Sequence, residues 1–265
     1  MLLSLLPHRR NKSRENQRSR SYKLTLDRFF EVTRSSIATQ PERVQHMFGS
    51  IARRYDLANH ILSCGADFYW RNRAAQIVAN WRPKEVIDLA TGTGDLALAI
   101  QKKLPEAQIV GADFLREMLE IANRKGLRQT VVADAMKLPF ADSSVDCITV
   151  AFGLRNMENC GAALREMARI LRPGGRLLIL EFSLPRFSIL RAAYRLYLHW
   201  FLPILGSFLT NQKTAYAYLG ESIEEFPNGE AMVRLVEANG FRDAAAGPLS
   251  GGIVTIYTAE KRPMP

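Results

Sequence analysis

The chain has 265 residues and a mass of 29.9 kDa, with 47% hydrophobic and 23% charged residues and a formal net charge of +10. That length suits one α/β domain with appendages better than two full domains, the composition excludes disorder along the whole chain, and no uninterrupted apolar stretch is long enough to span a bilayer. Residues 1–40 hold nine Lys/Arg against three Asp/Glu, so +6 of the charge sits in an N-terminal arm rather than on a folded face, and no nucleic acid is expected as a partner.

The arm begins MLLSLLPHRRNKSRENQRSRSYKL, with its short apolar part ahead of its charges, the reverse of a secretory signal. Residues 1–40 read first as a solvated, disordered tail. A weak contact with anionic lipid and an organellar transit sequence are the alternatives, the last ranked lowest.

From residue 41 to 260 the pattern is that of a single domain. Residues 41–80 read as a helical cover with aromatic spots around Tyr55 and at Tyr69-Trp70. KEVIDLA (84–90) is a short apolar run leading into glycines, a buried strand and a turn. A helix is predicted from Asp95 to Lys103, a strand over AQIVGAD (107–113) and a helix from Leu115 to Lys125. Strands follow at QTVVAD (129–134) and SVDCITVAFG (144–153). The helix from Asn159 to Leu171 stops at RPGG (172–175), and GRLLILEFS (175–183) is a fifth strand. Late in the chain a helix from Gly229 to Asn239 precedes FRDAAAG and GGIVTIYTAEK, read as a hairpin at the sheet edge. Strands alternating with helices predict an α/β fold with a mostly parallel sheet covered on both faces. Cys64, Cys147 and Cys160 show no Cys-x-x-Cys spacing and no neighbouring histidines, so neither disulfides nor a bound metal are expected, and a reducing compartment fits.

The chemistry concentrates in VIDLATGTGD (86–95), where a strand turns into a helix through Gly92 and Gly94. Glycine lets a backbone approach a ligand, although Gly92-x-Gly94-x-x-Ala97 also satisfies a dinucleotide fingerprint. The acids that follow separate the two. Asp113 closes the second strand, where a carboxylate can accept from both ribose hydroxyls. Asp134, followed by Ala135, closes the third, where it can accept from an adenine amino group while the next N–H donates to the ring. Asp88 before the turn and Asp95 after it can hold an ammonium group. Acids at three strand ends, with no basic residue in the turn, suit a cationic adenosyl ligand without phosphates, such as S-adenosylmethionine, better than a pyrophosphate. The alternative for each is an ordinary cap or turn acid.

Taken together, DLATGTGD (88–95), GAD (111–113), DAMKLPFADSSVDCIT (134–149), AFGLRNM (151–157), LRPGGRLLILEFS (171–183) and YLGESIEEFP (218–227), with YDLANHILSCGADFYWR (55–71) upstream, resemble the quinone-biosynthesis C-methyltransferases. The resemblance covers about residues 41–260. It implies a Rossmann-like class I methyltransferase fold: a mostly parallel seven-stranded sheet with helices on both faces and an antiparallel edge strand. It implies S-adenosyl-L-methionine as cofactor, held by Gly92, Thr93, Gly94, Asp113 and the Asp134-Ala135 pair, with Asp88 beside them. The reaction implied is C-methylation of a polyprenylated quinol, most simply demethylmenaquinol to menaquinol, with the ubiquinone-pathway step or both activities as the alternative. Rivals from other classes are a non-catalytic methyltransferase-like subunit and a nicotinamide-dependent oxidoreductase. A ring carbon becomes nucleophilic when a phenolic proton leaves, so the site needs a base and a cation. Arg155 and Asn156 of FGLRN are the candidates for holding the phenolate and its hydroxyl, Tyr55 is the third catalytic candidate, and Asp56 lies beside it in the block expected to cover the site. A salt bridge that fixes a loop is the other reading of Arg155. His60 and His199 read as structural or interfacial.

FSILRAAYRLYLHWFLPILGSFL (187–209) is apolar but broken by Arg191, Arg195 and His199 at every fourth position, one stripe on a helix opposite a wide apolar face. It opens an apolar helical insertion over 187–225. A core helix or dimer contact is one reading; a lid over an apolar substrate or a surface entering the membrane interface is the other. A polyprenyl tail resides in lipid, so the expected location is cytoplasmic and peripheral at the inner face of the cell membrane, with organellar import less favoured. A second copy of the chain or other enzymes of quinone biosynthesis are the possible protein partners.

Overall fold

The computed structural model describes residues 65–202 and 213–263 together with His60, Ser63 and Ile204. The arm, the first part of the helical cover, Tyr55 and Asp56 lie outside the described residues.

Helix α1 (Ala66–Trp81) is followed by β1 (Glu85–Leu89), α2 (Asp95–Lys103), β2 (Gln108–Asp113), α3 (Arg116–Arg124), β3 (Gln129–Val132), β4 (Val145–Ala151), α4 (Cys160–Ile170) and β5 (Leu171–Phe182). Then come α5 (Ser188–Leu196), which runs on into a π-helical turn (Tyr197–Phe201), α6 (Lys213–Glu225), α7 (Glu230–Ala238), β6 (Phe241–Leu249) and β7 (Val254–Lys261). Asn159 caps α4, its side chain accepting from the Ala162 N–H. Strand β5 starts earlier than the sequence suggests. Leu171 pairs with Val145, residues 172–175 bulge out through Pro173 and two glycines, and pairing resumes at Arg176 opposite Cys147.

The strands form one seven-stranded sheet in the order β3-β2-β1-β4-β5-β7-β6, parallel from β3 to β5. Strand β7 is antiparallel to both its neighbours and sits one place in from the edge, which β6 occupies. Composition decides the order. Val254, Ile256, Tyr257 and Ala259 of β7 are buried, whereas β6 carries Arg242, Asp243 and Pro248, residues that an edge tolerates.

Alternation along the strands splits the core in two. On one face Ile87, Leu89, Ile148, Val150 and Ile179 pack against Leu164 and Met167 of α4 and Met232 and Val236 of α7. On the other, Val86, Cys147, Leu178 and Leu180 pack against Trp70 and Val78 of α1 and Leu96 and Ile100 of α2. Trp70 also donates to the Ser250 hydroxyl at 2.8 Å, tying α1 to the β6–β7 connection.

Strand order reverses between β1 and β4, and the crevice beyond the C-terminal ends of two such strands is where ligands of open α/β sheets bind. Here both strands exit through a non-glycine residue in the left-handed region: Ala90 (φ 52°) after β1 and Phe152 (φ 57°) after β4. Such a conformation costs a side chain about 1–2 kcal/mol. The two exits also touch. A Cβ built on Gly153 would lie 2.5 Å from the Ala90 Cβ, so the second exit closes on the first only because position 153 is glycine.

Gly153→Ala should therefore lower stability in urea unfolding by about 1–3 kcal/mol through overpacking. Ala90→Gly in the same chain should restore most of that loss, because it removes the obstructing methyl and relieves the left-handed strain. A single variant as stable as wild type would mean that the two exits are not in tight contact.

Candidate active site

The turn after β1 is held from below. Asp88 is buried, and its two carboxylate oxygens accept from the Thr91 and Thr149 hydroxyls, each at 2.6 Å. One oxygen therefore closes the turn on itself and the other ties it to β4. This is a different task from the expected contact with a ligand ammonium, which both the burial and the two hydroxyl partners disfavour.

Gly92 has φ 56°, and a Cβ placed on it would meet nothing within 4 Å, so it faces open space. Gly94 (φ 85°) has a different duty: a Cβ there would lie 2.9 Å from that of Ala122, so it lets α2 pack against α3. The Gly92 N–H donates to Asp113 at 2.8 Å, and the other Asp113 oxygen accepts from the Leu115 N–H at 2.9 Å. With the Phe114 N–H also turned toward the carboxylate, not all of its roughly four lone-pair sites are taken by the backbone. Burial pushes this carboxyl upward against those backbone donors. The next residue, Phe114, carries an exposed aromatic ring that sequence reading overlooked. The signal was available: an aromatic directly after a strand-end acid.

Asp134 departs from expectation. Strand β3 ends at Val132, the Ala133 N–H still reaches the Asp113 carbonyl, and Asp134 then turns the chain by accepting from the Met136 N–H at 2.8 Å. It is an exposed turn acid with one oxygen so engaged, followed by Ala135 at the tip.

The turn is also not free of basic groups. Lys125, just beyond α3, donates to the Thr93 hydroxyl at 3.3 Å and pairs with Asp95, which Arg71 approaches at 3.9 Å. Arg71 pairs in turn with buried Asp67, to which His60 bonds at 2.6 Å. Asp95 is thus committed to its cations rather than to an ammonium. The arriving charge is matched by the carboxylates around it, so the turn still presents no net cation to a pyrophosphate.

On the β4 side, a single 3₁₀ turn (Leu154–Asn156) carries Arg155 and Asn156. One terminal guanidinium nitrogen, Nη1, donates to Glu181 Oε1 at 2.5 Å and to the Phe152 carbonyl at 2.8 Å, and the cation lies 5.3 Å from the centre of the Phe182 ring. The Arg155 side chain is 4% exposed and Glu181 1%. This is the loop-fixing ion pair for one edge of the guanidinium. The Arg155 Nε and the Asn156 Oδ1 are both buried and have no partner. Glu181 was missed in the sequence, where a lone acid inside the apolar run LLILEFS marks it.

Helix α5 is two-faced. Tyr194, Leu198 and Leu202 pack with Ile223 of α6. The basic stripe is occupied with holding the helix down: Arg191 donates to the Pro185 carbonyl at 2.7 Å, and Arg195 and His199 both pair with Glu224 of α6. Ile189 (86% exposed), Leu196 and Trp200 (66%) point away, flanked by Phe187, Phe201 and Ile204. Among the described residues no helix is long and apolar enough to cross a membrane.

Residues 36–261 match the model of the ubiE/COQ5 methyltransferase family. A demethylmenaquinone methyltransferase of Deinococcus radiodurans is 42% identical over 226 residues, covering 83% of this chain and 93% of that protein. A ubiquinone/menaquinone biosynthesis C-methyltransferase UbiE of Geotalea uraniireducens is 41% identical over 228 residues, covering 83% and 97%. Among solved structures, an S-adenosylmethionine-dependent methyltransferase of Thermotoga maritima, a possible histamine N-methyltransferase, superposes with a TM-score of 0.59 at 18% identity, over 82% of this chain and 99% of that one; at that identity the likeness is one of fold.

The Asp88 carboxyl is pushed up to about 6 by burial, against the pull of the Thr149 and Thr91 hydroxyls. In the unfolded chain it titrates near 3.9. Between the two values the folded protein keeps the proton that the unfolded chain has released. The stability this group contributes is therefore complete below the unfolded value and lost as pH rises through about 6. Asp88→Asn should flatten the decline between pH 4 and 7 by about 2–3 kcal/mol in urea titrations. Asp113 is raised in the same sense and will keep part of the slope. Equal slopes in variant and wild type would show that Asp88 does not titrate in this range.

Proposed function

The chain belongs to the ubiE/COQ5 methyltransferase family, and on that premise we propose that it is an S-adenosylmethionine-dependent C-methyltransferase acting on the ring of a polyprenylated quinol. Demethylmenaquinol is the favoured substrate, with the ubiquinone-pathway quinol as alternative, since relatives of near-equal identity carry both names. The observation that carries the reading is the meeting, beyond β1, β2 and β4, of an open glycine turn, a strand-end carboxylate with unused lone pairs and a buried Arg-Asn turn.

The residues present fit the cofactor. Gly92 leaves room for a ligand's backbone-side approach, Asp113 offers acceptors for ribose hydroxyls, and Phe114 offers a face to the base. Asp134-Ala135 lies in the turn that follows β3, and Thr93 and Gly94 complete the glycine turn. S-adenosylmethionine when bound supplies an electrophilic methyl group on a sulfonium. The remaining work belongs to the protein. A quinol ring carbon gains electron density when the neighbouring hydroxyl loses its proton. Arg155 cannot accept that proton at neutral pH, so the proton passes to water, and the guanidinium can stabilise the oxyanion formed. Asn156 Oδ1 can orient the hydroxyl beforehand. Tyr55, in the upstream block, is proposed to help close the site.

The outer face of α5 supports a peripheral position at the inner, cytoplasmic side of the cell membrane. Large apolar side chains at Ile189, Leu196, Trp200 and Ile204 recur at helical spacing and are exposed together, the arrangement of an interfacial helix. A substrate whose tail lies in lipid can then be met without leaving the bilayer.

The reaction is tested by incubating the purified chain with S-adenosylmethionine and a short-tailed demethylmenaquinol and identifying the methylated ring by mass spectrometry. Asp113→Ala should weaken cofactor binding in calorimetry by about 1.5–3 kcal/mol per hydrogen bond lost to a charged acceptor. Unchanged affinity would displace Asp113 from the site, and absence of a C-methylated product with either quinol would refute the activity.

For the membrane, the two faces of α5 give opposite expectations. Trp200→Ser should reduce sedimentation with liposomes and activity on long-tailed quinols, with little effect on the melting temperature. Leu198, 2% exposed, is core, and Leu198→Ser should cost about 2–5 kcal/mol of stability and lower activity on short and long tails alike. Equal liposome binding by Trp200→Ser and wild type would rule out this face as the lipid contact.

A further inference from the structure

Glu181 is the only carboxylate in the apolar run that forms the end of β5, and it is almost wholly buried. A charge in that position needs a partner, and it has one in Arg155. The grip has more than one point. Oε1 accepts from Arg155 Nη1 at 2.5 Å and from the Phe182 N–H at 3.0 Å, which fixes the carboxylate itself. Oε2 accepts from the Arg155 backbone N–H at 3.5 Å, so main chain and side chain of the same residue are tethered by one acid. The Phe152 carbonyl shares Nη1, and the Phe182 ring lies against the cation. Closing the loop alone would require less than this, since the Phe152 carbonyl already bonds the guanidinium.

What the clamp leaves over is specific. On one guanidinium edge the Nε is buried and without a partner, and on the neighbouring residue so is the Asn156 Oδ1. One is a donor and the other an acceptor, the two roles a phenolic hydroxyl can answer at once. Tyr194 and Leu198 of the α5 segment form a cluster that packs against Phe182, the ring over which the guanidinium lies.

We propose that Glu181 is the positioning residue for Arg155: it holds the guanidinium with its Nε edge unused, beside Asn156 Oδ1, for the quinol hydroxyl, and it keeps the buried cation neutralised until that hydroxyl ionises. The inference deepens the quinol-methyltransferase reading and rests on it for the substrate. It assigns Glu181 no contact with the quinol.

The test is Glu181→Gln in the full-length chain, which preserves shape and removes charge. The turnover number on a short-tailed demethylmenaquinol should fall on the order of a hundredfold, the effect of a reacting group displaced by about an ångström. Cofactor affinity and the KM for the quinol should stay within about threefold of wild type. The acid limb of the kcat profile should move to lower pH by about one pH unit, because an uncompensated cation stabilises the phenolate. Glu181→Asp, which keeps the charge, should leave that limb where wild type has it. Since breaking a buried pair can unfold a protein, Arg155→Gln combined with Glu181→Gln provides the control: it should recover the melting temperature and remain inactive.

Wild-type turnover by Glu181→Gln, or a loss that follows melting temperature with an unmoved acid limb, would overturn the proposal. A wild-type chain inactive on quinols would refute the substrate reading instead. In that case the crystal structure of Glu181→Gln still decides: the guanidinium should leave its place over Phe182, and an unchanged placement would end the positioning role.

Discussion

Asp88 joins two hydroxyls, those of Thr91 and Thr149, that belong to different strands' neighbourhoods, and most of the site's geometry descends from that junction. With the turn after β1 pinned to β4, Ala90 is forced into the left-handed region and Gly153 must pass beneath its methyl. The same closure directs the Gly92 N–H at Asp113 and sets where the Arg155 turn begins. The junction is costly, because it buries a carboxylate that would rather be protonated, and strains a backbone that would rather be glycine. Both costs fall at the crevice where a ligand must find rigid donors and acceptors already in place.

Charge is handled by pairing on both sides of that crevice, but to different ends. Around α1 and α2, Arg71 is held by buried Asp67 and reaches Asp95, which Lys125 pairs from a partly exposed position. Water and salt can reach the Lys125–Asp95 contact, so it fastens loosely. The Arg155–Glu181 pair is dry, reinforced by main-chain donors and an aromatic face, and it leaves a donor unanswered. A low-dielectric setting magnifies both what such a pair holds and what an arriving polar group would gain there.

Helix α5 connects this dry interior with the outside. Its inner residues Tyr194 and Leu198 are core, its basic stripe is tied to α6 and to nearby carbonyls, and its outer residues are apolar and uncovered. The π turn that extends it widens the helix at Tyr197–Phe201. One face of this element thus packs toward the Phe182 ring on which Arg155 lies, and the other is turned outward.

The sequence by itself determined the alternation of strands and helices, the location of the glycine turn, the place of Asp113 at the end of the second strand and the two-faced nature of residues 187–202. Each of these is a local matter of periodicity, of a glycine where backbone must approach, or of an acid at a strand's end. It misjudged what depends on partners far along the chain. Asp88 looked like a ligand contact because Thr149, 61 residues away, is invisible from its neighbourhood. Lys125 was absent from a turn it reaches only through the packing of α3 on α2. The stripe of Arg191, Arg195 and His199 shows no partner in the sequence, because only the fold places Glu224 of α6 against it. Glu181 passed unnoticed because its meaning lies entirely in Arg155, 26 residues before it. Propensity and pattern are properties of neighbouring residues, whereas the partner of a buried charge is chosen by the sheet order, which only the folded chain expresses.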